Sequence, residues 1–456
     1  MAEFSKFLSF IQEDDKANDE KQSLHRQQSD AFANAPIYTA AVDTFVHSSI
    51  PCSLLPSISN NFTISAPSYP RLIPQYGLMG IRQDVNRADG SLEDRLVFSN
   101  MNMPWSAFIC GSQGAGKSHT VSCLLENCLV ANNQAGELPN PLAGLVMHYD
   151  KFASYSTAQI CEAAYLCSSG IPVTNQLDIY RILKLMAVDP SMKVVPLYME
   201  VVMNIAREMA MAGPGFTYSR FRQRLDEVEW VKGQETPLKL RLQLLDTIMA
   251  PSSTTKTTRP ARAEENIWAF QPGSLTIVDL SDPFFSEDDA CTLFAICHSI
   301  FLEERNKCGR VIVLDEAHKF LNPTAVASAR LLTNDLLSTI RQQRHTGTRV
   351  LIATQEPTLA PELIDLANVT LVHRFLSPSW FEILKKHLAG AKEDDGTLFS
   401  SIVSLRTGEA LLFSPTAQMD IIESPDGVKT ARSLGNGYAK IKIRKRFTAD
   451  GGRSIL

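Results

Sequence analysis

The sequence predicts an α/β fold, in which a mostly parallel sheet is covered by helices on both faces and interrupted by an inserted all-α subdomain. Short, continuous apolar segments alternate with stretches of helical character, as is typical of parallel strands buried on both faces. These apolar segments lie at 107–110, 144–150, 275–280, 311–315, 349–355 and 369–375. Between the second and third of them, residues 173–272 show helical patterns without a comparable strand, which predicts the insertion.

Changes in composition divide the 456-residue chain into five predicted parts. They are a flexible N-terminal arm at 1–75, the first part of the core at 76–172, a helical insertion at 173–272, the second part of the core at 273–435 and a basic C-terminal tail at 436–456. The arm is predicted because it is rich in charged and polar residues, and then in Ser, Pro and Asn, with little apolar periodicity.

The predicted basic tail has two interpretations. It could contact nucleic-acid phosphates, since such contacts need only clustered Lys and Arg side chains. It could also be a solvated edge strand, because apolar residues alternate with its charges. The cations of this segment are Lys440, Lys442, Arg444, Lys445 and Arg446.

Composition excludes several classes of protein. The hydrophobic fraction of 44% supports a sizeable core, and the net charge of -5 argues against a chain that is basic throughout. No apolar run is long enough for a membrane span, and the first residues lack a secretory pattern. The nine cysteines are scattered without a C-x-x-C pair. We therefore expect an intracellular protein with reduced cysteines, nuclear or cytoplasmic.

A phosphate-binding loop is predicted at 111–118, where Gly-Ser-Gln-Gly-Ala-Gly-Lys-Ser fits the pattern G-x-x-x-x-G-K-[ST]. The apolar segment 107–110 precedes it and a helix-forming run at 121–130 follows it, which is the context that the motif requires. Glycines let backbone N–H groups turn toward phosphate oxygens, and a helix N-terminus adds partial positive charge. Lys117 is expected to reach the β- and γ-phosphates, and Ser118 to ligate Mg²⁺. The residues expected to contact the nucleotide are Gly111, Ser112, Gln113, Gly114, Ala115, Gly116, Lys117, Ser118 and His119.

Two adjacent carboxylates, Asp315 and Glu316, follow the apolar segment that begins at Val311. Asp315 is expected to hold Mg²⁺ together with Ser118, and Glu316 to polarise a water as the catalytic base. Gln355 ends the next segment. Because the carboxyl ends of parallel strands meet at one edge of a sheet, it is expected to touch the γ-phosphate or the water. The alternative for these three residues is an ordinary solvated position at a strand end.

Three arginines are candidates for neutralising negative charge in a transition state, a role that a neighbouring subunit often supplies. Arg374 closes an apolar segment at the expected active edge and is the strongest candidate. Arg344 and Arg341 lie at the end of a predicted helix at about 325–344. Each of the three is also compatible with a solvated arginine that has no catalytic role.

The order and spacing of these motifs resemble the HerA/FtsK superfamily of RecA-like ATPases, and the HerA-like branch of DNA translocases and helicases most closely. The resemblance covers roughly 100–172 and 273–415. It rests on the P-loop, an additional strand at 275–281, Val-Leu-Asp-Glu-Ala-His-Lys-Phe-Leu at 313–321, Arg-His-Thr-Gly at 344–347, Leu-Ile-Ala-Thr-Gln-Glu-Pro at 351–357 and Thr-Gly-Glu-Ala at 407–410, in a predicted closing hairpin.

The resemblance implies a RecA-like P-loop core, ATP and Mg²⁺ at the site, and a homo-hexameric ring with ATP at the subunit interfaces. Within that ring Lys117, Asp315, Glu316 and Gln355 would act in cis, and an arginine in trans. Family members move DNA or drive conjugation and secretion, so double-stranded DNA is the expected partner. An ATPase motor acting on protein is the first alternative, and a nucleotide switch that is not a motor is the second. The chain departs from the family at Glu356, where an arginine is common.

Overall fold

The computed structural model describes residues 19–49, 71–85, 91–150, 161–169, 171–175, 205, 223–228, 270–281, 287–303, 308–322, 327–388, 391 and 396–449. Most of the predicted helical insertion lies outside these ranges, so the insertion stays a prediction. Its first residues, Val173–Asn175, are described and form a strand. Within the described ranges, no helix has both the length and the apolar composition needed to cross a membrane.

Helices and strands are numbered here in chain order over the described ranges. The helices are α1 (Asp19–Ala33), α2 (Ala40–Ser49), α3 (Lys117–Leu129), α4 (Glu287–Glu303), α5 (Ala327–Arg341), α6 (Gln343–Thr346), α7 (Pro361–Asp365), α8 (Pro378–Lys385) and α9 (Thr397–Val403). The strands are β1 (Ile37–Thr39), β2 (Tyr76–Arg82), β3 (Leu96–Asn100), β4 (Ala107–Cys110), β5 (Gly136–Glu137), β6 (Ala143–His148), β7 (Val173–Asn175), β8 (Leu275–Asp279), β9 (Arg310–Asp315), β10 (Thr348–Thr354), β11 (Val369–Val372), β12 (Glu409–Phe413), β13 (Gln418–Glu423), β14 (Lys429–Ser433) and β15 (Ala439–Ile443). Short 3-10 turns occupy Glu93–Arg95, Glu162–Ser169 and Ala317–Lys319.

The core is a run of parallel strands in the order β11-β4-β10-β9-β6-β8-β7. Strand β4 leads into the P-loop and lies between β10 and β11, so β10 separates it from β9, which ends in Asp315. Helix α3 packs on one face of this run, and α4 and α5 pack on the other. Helix α5 is amphipathic, with Leu332, Leu336 and Ile340 buried at a spacing of four residues. The predicted α/β class, with a mostly parallel sheet in the core, is confirmed.

A second, mostly antiparallel run extends the same sheet beyond β11, in the order β12-β15-β2-β3-β1-β13-β14. Only the β1–β13 pair within it is parallel. Its strands are short or alternate between buried and partly exposed residues, as in β2 and β15. That pattern differs from the continuous apolar segments of the core, which explains why most of this extension was not predicted from the sequence.

The prediction of a flexible arm at 1–75 is wrong for residues 19–49, which form α1, β1 and α2. Phe32, Tyr38, Val42 and Val46 are buried in a common cluster with Ile73. The rings of Phe32 and Tyr38 meet edge to face, with their centroids 5.1 Å apart. The average composition of this segment is polar, but most of its buried apolar side chains join one cluster, while Ile37 joins the main core. Strand β1 of this segment pairs with β3.

The predicted basic tail is also corrected, because residues 439–443 form β15, which lies inside the sheet between β12 and β2. It is therefore not an edge strand. Lys440 Nζ lies 2.9 Å from a carboxylate oxygen of Glu409. Arg444 pairs with Glu126, and its side chain is only 6% exposed. Two of the cations that could have faced nucleic-acid phosphates are thus held by carboxylates of this chain.

Glu126 ties the C-terminal segment to helix α3. This carboxylate has no exposed surface. Its Oε2 accepts a hydrogen bond from an Nη of Arg444 at 2.7 Å. Its Oε1 accepts from the backbone N–H groups of Phe447 and Thr448, each at 2.9 Å, and from the Thr448 hydroxyl at 2.8 Å. Because α3 begins with the P-loop lysine, the C-terminal segment braces the helix that carries the phosphate-binding loop.

Replacing Glu126 with alanine should therefore lower the free energy of unfolding by about 3–5 kcal/mol, since it leaves the buried guanidinium of Arg444 without its carboxylate and three other donors without their acceptor. Urea unfolding of E126A and wild type measures this difference. The matched control is Lys445→Ala, an exposed cation next to Arg444, which should change stability by no more than about 0.5 kcal/mol. Equal losses in the two variants would contradict the bracing role of Glu126.

Candidate nucleotide-binding site

The P-loop joins the end of β4 to the start of α3 through backbone conformations that glycine favours. Gly116 has a φ of 110°, a region that L side chains avoid. A Cβ atom at Gly111 would lie 2.6 Å from the Cβ of His373, closer than packing allows. Gln113 and Gly114 form the exposed tip of the loop. The predicted Gly-rich loop is therefore present between a strand and a helix, with the shape that the motif requires.

Lys117 is the first residue of α3 and lies under the loop. Its side chain is mostly buried, and its Nζ donates a hydrogen bond to the carbonyl oxygen of Ser112 at 3.3 Å. Burial lowers the pKa of Lys117, while Glu316 and Asp315 act in the opposite direction. The ammonium thus faces the two carboxylates from inside the loop, which is the position from which a lysine can reach phosphate oxygens.

Ser118 and Asp315 lie on the wall of one small pocket, which Glu162 also lines. Burial alone would raise the pKa of Asp315, but the hydrogen bond and charge of His148 outweigh it, so that the pKa of this carboxyl falls below its usual value. Asp315 is therefore ionised at neutral pH. A hydroxyl and an ionised carboxylate facing one pocket are donors that suit Mg²⁺, so these two residues fit the predicted metal role.

Glu316 has an unusual backbone for a residue other than glycine, with φ 51° and ψ 42°. Such left-handed conformations cost about 1–3 kcal/mol and concentrate at functional sites. Its Oε1 accepts a hydrogen bond from Nε2 of Gln355 at 3.1 Å. Its Oε2 is buried without a hydrogen-bond partner and lies 3.5 Å from Nδ1 of His318. Glu316 and Gln355 are therefore brought together as predicted, with one carboxylate oxygen left to accept a proton.

The three candidate arginines lie at opposite ends of the parallel strands, with Arg374 after β11, and Arg341 and Arg344 before β10. The carbonyl oxygen of Arg374 accepts hydrogen bonds from the backbone N–H and the hydroxyl of Ser112, at 2.9 and 2.8 Å, and its side chain is exposed beside the P-loop. Arg344 lies in α6, before the start of β10. The seven residues of β10 separate it from the P-loop edge, a distance of about 20 Å at the usual strand rise. Arg344 is therefore remote from this chain's own P-loop, and a role for it at the site of a neighbouring subunit stays a prediction.

The ring of His119 is held by the C-terminal segment, and the contact of this residue with the nucleotide stays a prediction. A ring nitrogen of His119 lies 2.8 Å from the carbonyl oxygen of Arg444. The imidazole thus packs toward the C-terminal segment, because position 119 falls on the side of α3 that faces away from the loop. Its backbone N–H remains the only group of His119 that the helix N-terminus offers to a phosphate.

Two histidines that the sequence analysis did not single out support the site. Nδ1 of His148 lies 3.1 Å from Oδ2 of Asp315, because the two residues face each other at the ends of β6 and β9. His373 is fully buried, with ring nitrogens 3.0 Å from the Thr120 hydroxyl and 2.9 Å from the carbonyl oxygen of Glu409. It thus joins α3, β11 and β12. In the sequence, His148 lies near the end of the apolar segment 144–150, which was predicted as a strand. That position was the feature that could have pointed to it.

Burial lowers the pKa of His373 to about 4, against 6.5 for an unburied histidine. Between these values the unfolded chain binds a proton that the folded chain does not, so stability falls as the pH drops from about 6.5 to 4. The contribution of one such group to the slope is at most about 1.4 kcal/mol per pH unit. In H373Q the free energy of unfolding should therefore depend less steeply on pH in this window. Urea unfolding at several pH values measures the slopes, and equal slopes for variant and wild type would contradict a buried neutral ring.

No family model and no curated protein matches this chain, and several solved structures are similar to it at low TM-scores. VirB4 of Thermoanaerobacter pseudethanolicus is 13% identical, with a TM-score of 0.42 over 80% of this chain and 96% of that one. B204, the DNA-packaging ATPase of Sulfolobus turreted icosahedral virus, is 12% identical, with a TM-score of 0.34 over 72% and 98%. The pCW3 conjugation coupling protein TcpA is 12% identical, with a TM-score of 0.32 over 87% and 70%.

At identities of 13% or less and TM-scores of 0.42 or less, the case for this chain rests on its own strand order and residues. The P-loop strand is flanked by β10 and β11, and the edge where these strands end carries Lys117, Asp315, Glu316 and Gln355. This chain thus has the α/β core, with a P-loop between a strand and a helix, that its resemblance to the HerA/FtsK superfamily predicted.

Proposed function

We propose that this chain hydrolyses ATP with a water that Glu316 polarises, and that it uses this energy as a motor subunit. The observation that supports hydrolysis is the state of Glu316. One of its oxygens is held by Gln355, and the other is buried and free to accept a hydrogen bond. Lys117 faces the same carboxylate from beneath the P-loop. A carboxylate positioned in this way suits attack by water, in contrast to transfer of phosphate to a small molecule.

Each residue of the site has a distinct part in this reaction. Lys117 and the backbone N–H groups of the P-loop bind the triphosphate. Ser118 and Asp315 would hold Mg²⁺, which, when bound, neutralises charge on the β- and γ-phosphate oxygens. Glu316 accepts the proton of the attacking water at its free oxygen, and Gln355 fixes the orientation of that carboxylate. The side chain of Arg374 is exposed beside the loop, where it can neutralise transition-state charge at a site of a neighbouring subunit.

The resemblance to HerA/FtsK ATPases supports a homo-hexameric ring that translocates double-stranded DNA. Two basic side chains of the C-terminal segment are not available for contacts with DNA phosphates, because Lys440 and Arg444 are paired with carboxylates of this chain. A ring that moves nucleic acid contacts its phosphates, and such contacts weaken with salt. A motor that acts on protein would lack this dependence.

ATP turnover of the purified chain should therefore rise several-fold with double-stranded DNA at low salt, and this stimulation should fade at moderate salt because phosphate contacts release counterions. Phosphate release with and without DNA, at both salt concentrations, measures the effect. Turnover that is indifferent to DNA would contradict the nucleic-acid substrate and favour a protein motor or a switch.

Glu316→Gln should keep ATP binding and reduce turnover by about 10²–10⁴, since it removes the proton acceptor and keeps the shape of the side chain. Phosphate release and equilibrium binding of labelled ATP separate the two effects. Glu356→Gln is the matched control, because it alters an exposed carboxylate one residue after Gln355 and should leave turnover unchanged. Normal turnover by E316Q would rule out Glu316 as the base.

Lys117→Ala should abolish ATP binding, because no other ammonium lies beneath the loop in the described part of the chain.

Arg374→Ala should bind ATP and lose turnover if its guanidinium serves a neighbouring subunit. Mixing K117A with R374A should then restore part of the activity, since mixed rings contain some intact interfaces. Arg432→Ala, which alters an exposed arginine of β14, is the control and should remain active alone. Assembly of both variants without any rescue would contradict the role in trans.

A further inference from the structure

Beside the site, three side chains of different chemistry converge from three elements. His148 ends β6, Asp315 ends β9, and Cys161 directly precedes the 3-10 turn Glu162–Ser169. A ring nitrogen of His148, the sulfur of Cys161 and a carboxylate oxygen of Asp315 all lie within 4.8 Å of one another. His148 is 8% exposed and Cys161 is 3% exposed, so the cluster is enclosed and is not a chance group of solvated side chains.

We propose that His148, Cys161 and Asp315 form a binding site for a thiophilic divalent cation such as Zn²⁺. Mg²⁺ prefers oxygen ligands, and neither an imidazole nor a thiolate suits it. A set of one nitrogen, one sulfur and one oxygen instead matches zinc, which takes all three and commonly keeps a fourth position for water. This set of ligands therefore favours Zn²⁺ over Mg²⁺ at Asp315.

The spacing of the three ligand atoms requires little rearrangement. Tetrahedral zinc, with bonds of about 2.0–2.3 Å, holds its ligand atoms about 3.3–3.7 Å apart. Nδ1 of His148 and Oδ2 of Asp315 are already 3.1 Å apart. The sulfur of Cys161 lies no more than 4.8 Å from a ring nitrogen of His148 and from a carboxylate oxygen of Asp315, so a shift of its side chain by about 1 Å closes the set. Asp315 also lines the pocket that Ser118 and Glu162 border, so the cluster adjoins that pocket.

Binding of the cation is a ligand exchange that involves no oxidation or reduction. The S–H bond of Cys161 breaks, its proton goes to solvent, and the sulfur forms a bond to the cation as a thiolate. His148 gives up the Nδ1–H···Oδ2 hydrogen bond and offers the Nδ1 lone pair, its proton passing to Nε2 or to solvent. Asp315 exchanges that hydrogen bond for a bond to the cation.

The consequence for activity rests on the proposed function. If Asp315 holds a thiophilic cation, it is no longer available to the Mg²⁺ that accompanies ATP. Micromolar Zn²⁺ should then inhibit turnover even in excess Mg²⁺, and the chelator EDTA should restore it. The binding itself does not depend on whether this chain hydrolyses ATP.

Titration of the full, reduced, metal-free chain with Co²⁺ tests binding directly, since Co²⁺ takes zinc ligands and a cobalt–thiolate bond absorbs in the near ultraviolet. The wild type should show this absorption with one equivalent of Co²⁺, and Zn²⁺ should remove it. Cys161→Ser should lose it. Cys167→Ser should keep it, because that exposed thiol lies outside the cluster and serves as the matched control. No absorption in the wild type, or undiminished absorption in C161S, would overturn the proposal.

A second measurement needs no variant and therefore remains decisive if C161S does not fold. Equimolar Zn²⁺ should raise the Tm of the nucleotide-free wild type, because a ligand of the folded state stabilises it, and Mg²⁺ at the same concentration should not. Identical melting curves with the two cations would count against a site that selects thiophilic metals. Since neither readout is ATP turnover, failure of this proposal and failure of the proposed function are distinguishable.

Discussion

The pairing of β4 between β10 and β11 is the constraint on which the rest of this structure depends. Cys110, the last residue of β4, is in register with Thr354 of β10 and Val372 of β11. The three strands therefore end together, and the residues that follow them meet at one edge. Both faces of these strands are buried, so a shift of any of them by one residue would exchange the side chains that pack on the two faces. The core packing that stabilises the sheet therefore also fixes the position of the P-loop.

Burial at that edge makes the electrostatics of the site strong. Lys117, Asp315 and Glu316 are all largely removed from water, where charge interactions are screened less than at the surface. The chain compensates each of them in a different way. Lys117 faces two carboxylates, Asp315 is held by His148, and Glu316 is held on one side by Gln355. The free oxygen and the left-handed backbone of Glu316 are the features that packing alone does not explain, and both support a role in chemistry.

The sequence was most informative where a local motif and a buried strand coincide. The P-loop, the Asp315–Glu316 pair and Gln355 were all predicted, because each follows a continuous apolar segment whose end must lie at the edge of the sheet. The wrong predictions concern segments whose structure depends on contacts between residues far apart in the sequence. The burial of β15 depends on partners far away in the chain, such as Glu409 and Glu126, and no local pattern shows that those charges are paired.

Composition and local sequence pattern also failed to show how several residues lie in three dimensions. The polar average of residues 19–49 concealed a few apolar side chains that converge only in three dimensions. Arg344 and Arg374 were both candidates for the same role, yet Arg344 precedes a parallel strand and Arg374 follows one, which places them at opposite ends of the parallel strands. Likewise, His148 and Cys161 belong to one cluster with Asp315 although 13 and 167 residues separate His148 from these two partners along the chain.

The most direct test of this account is a structure of the Glu316→Gln chain with ATP and Mg²⁺ bound. We expect the triphosphate on the P-loop, with the γ-phosphate in hydrogen-bond reach of Lys117 Nζ and of the Gln355 amide, and with Ser118 and Asp315 facing the cation. A nucleotide bound away from the P-loop, or a γ-phosphate remote from residues 316 and 355, would contradict the assignment of this edge as the site of hydrolysis.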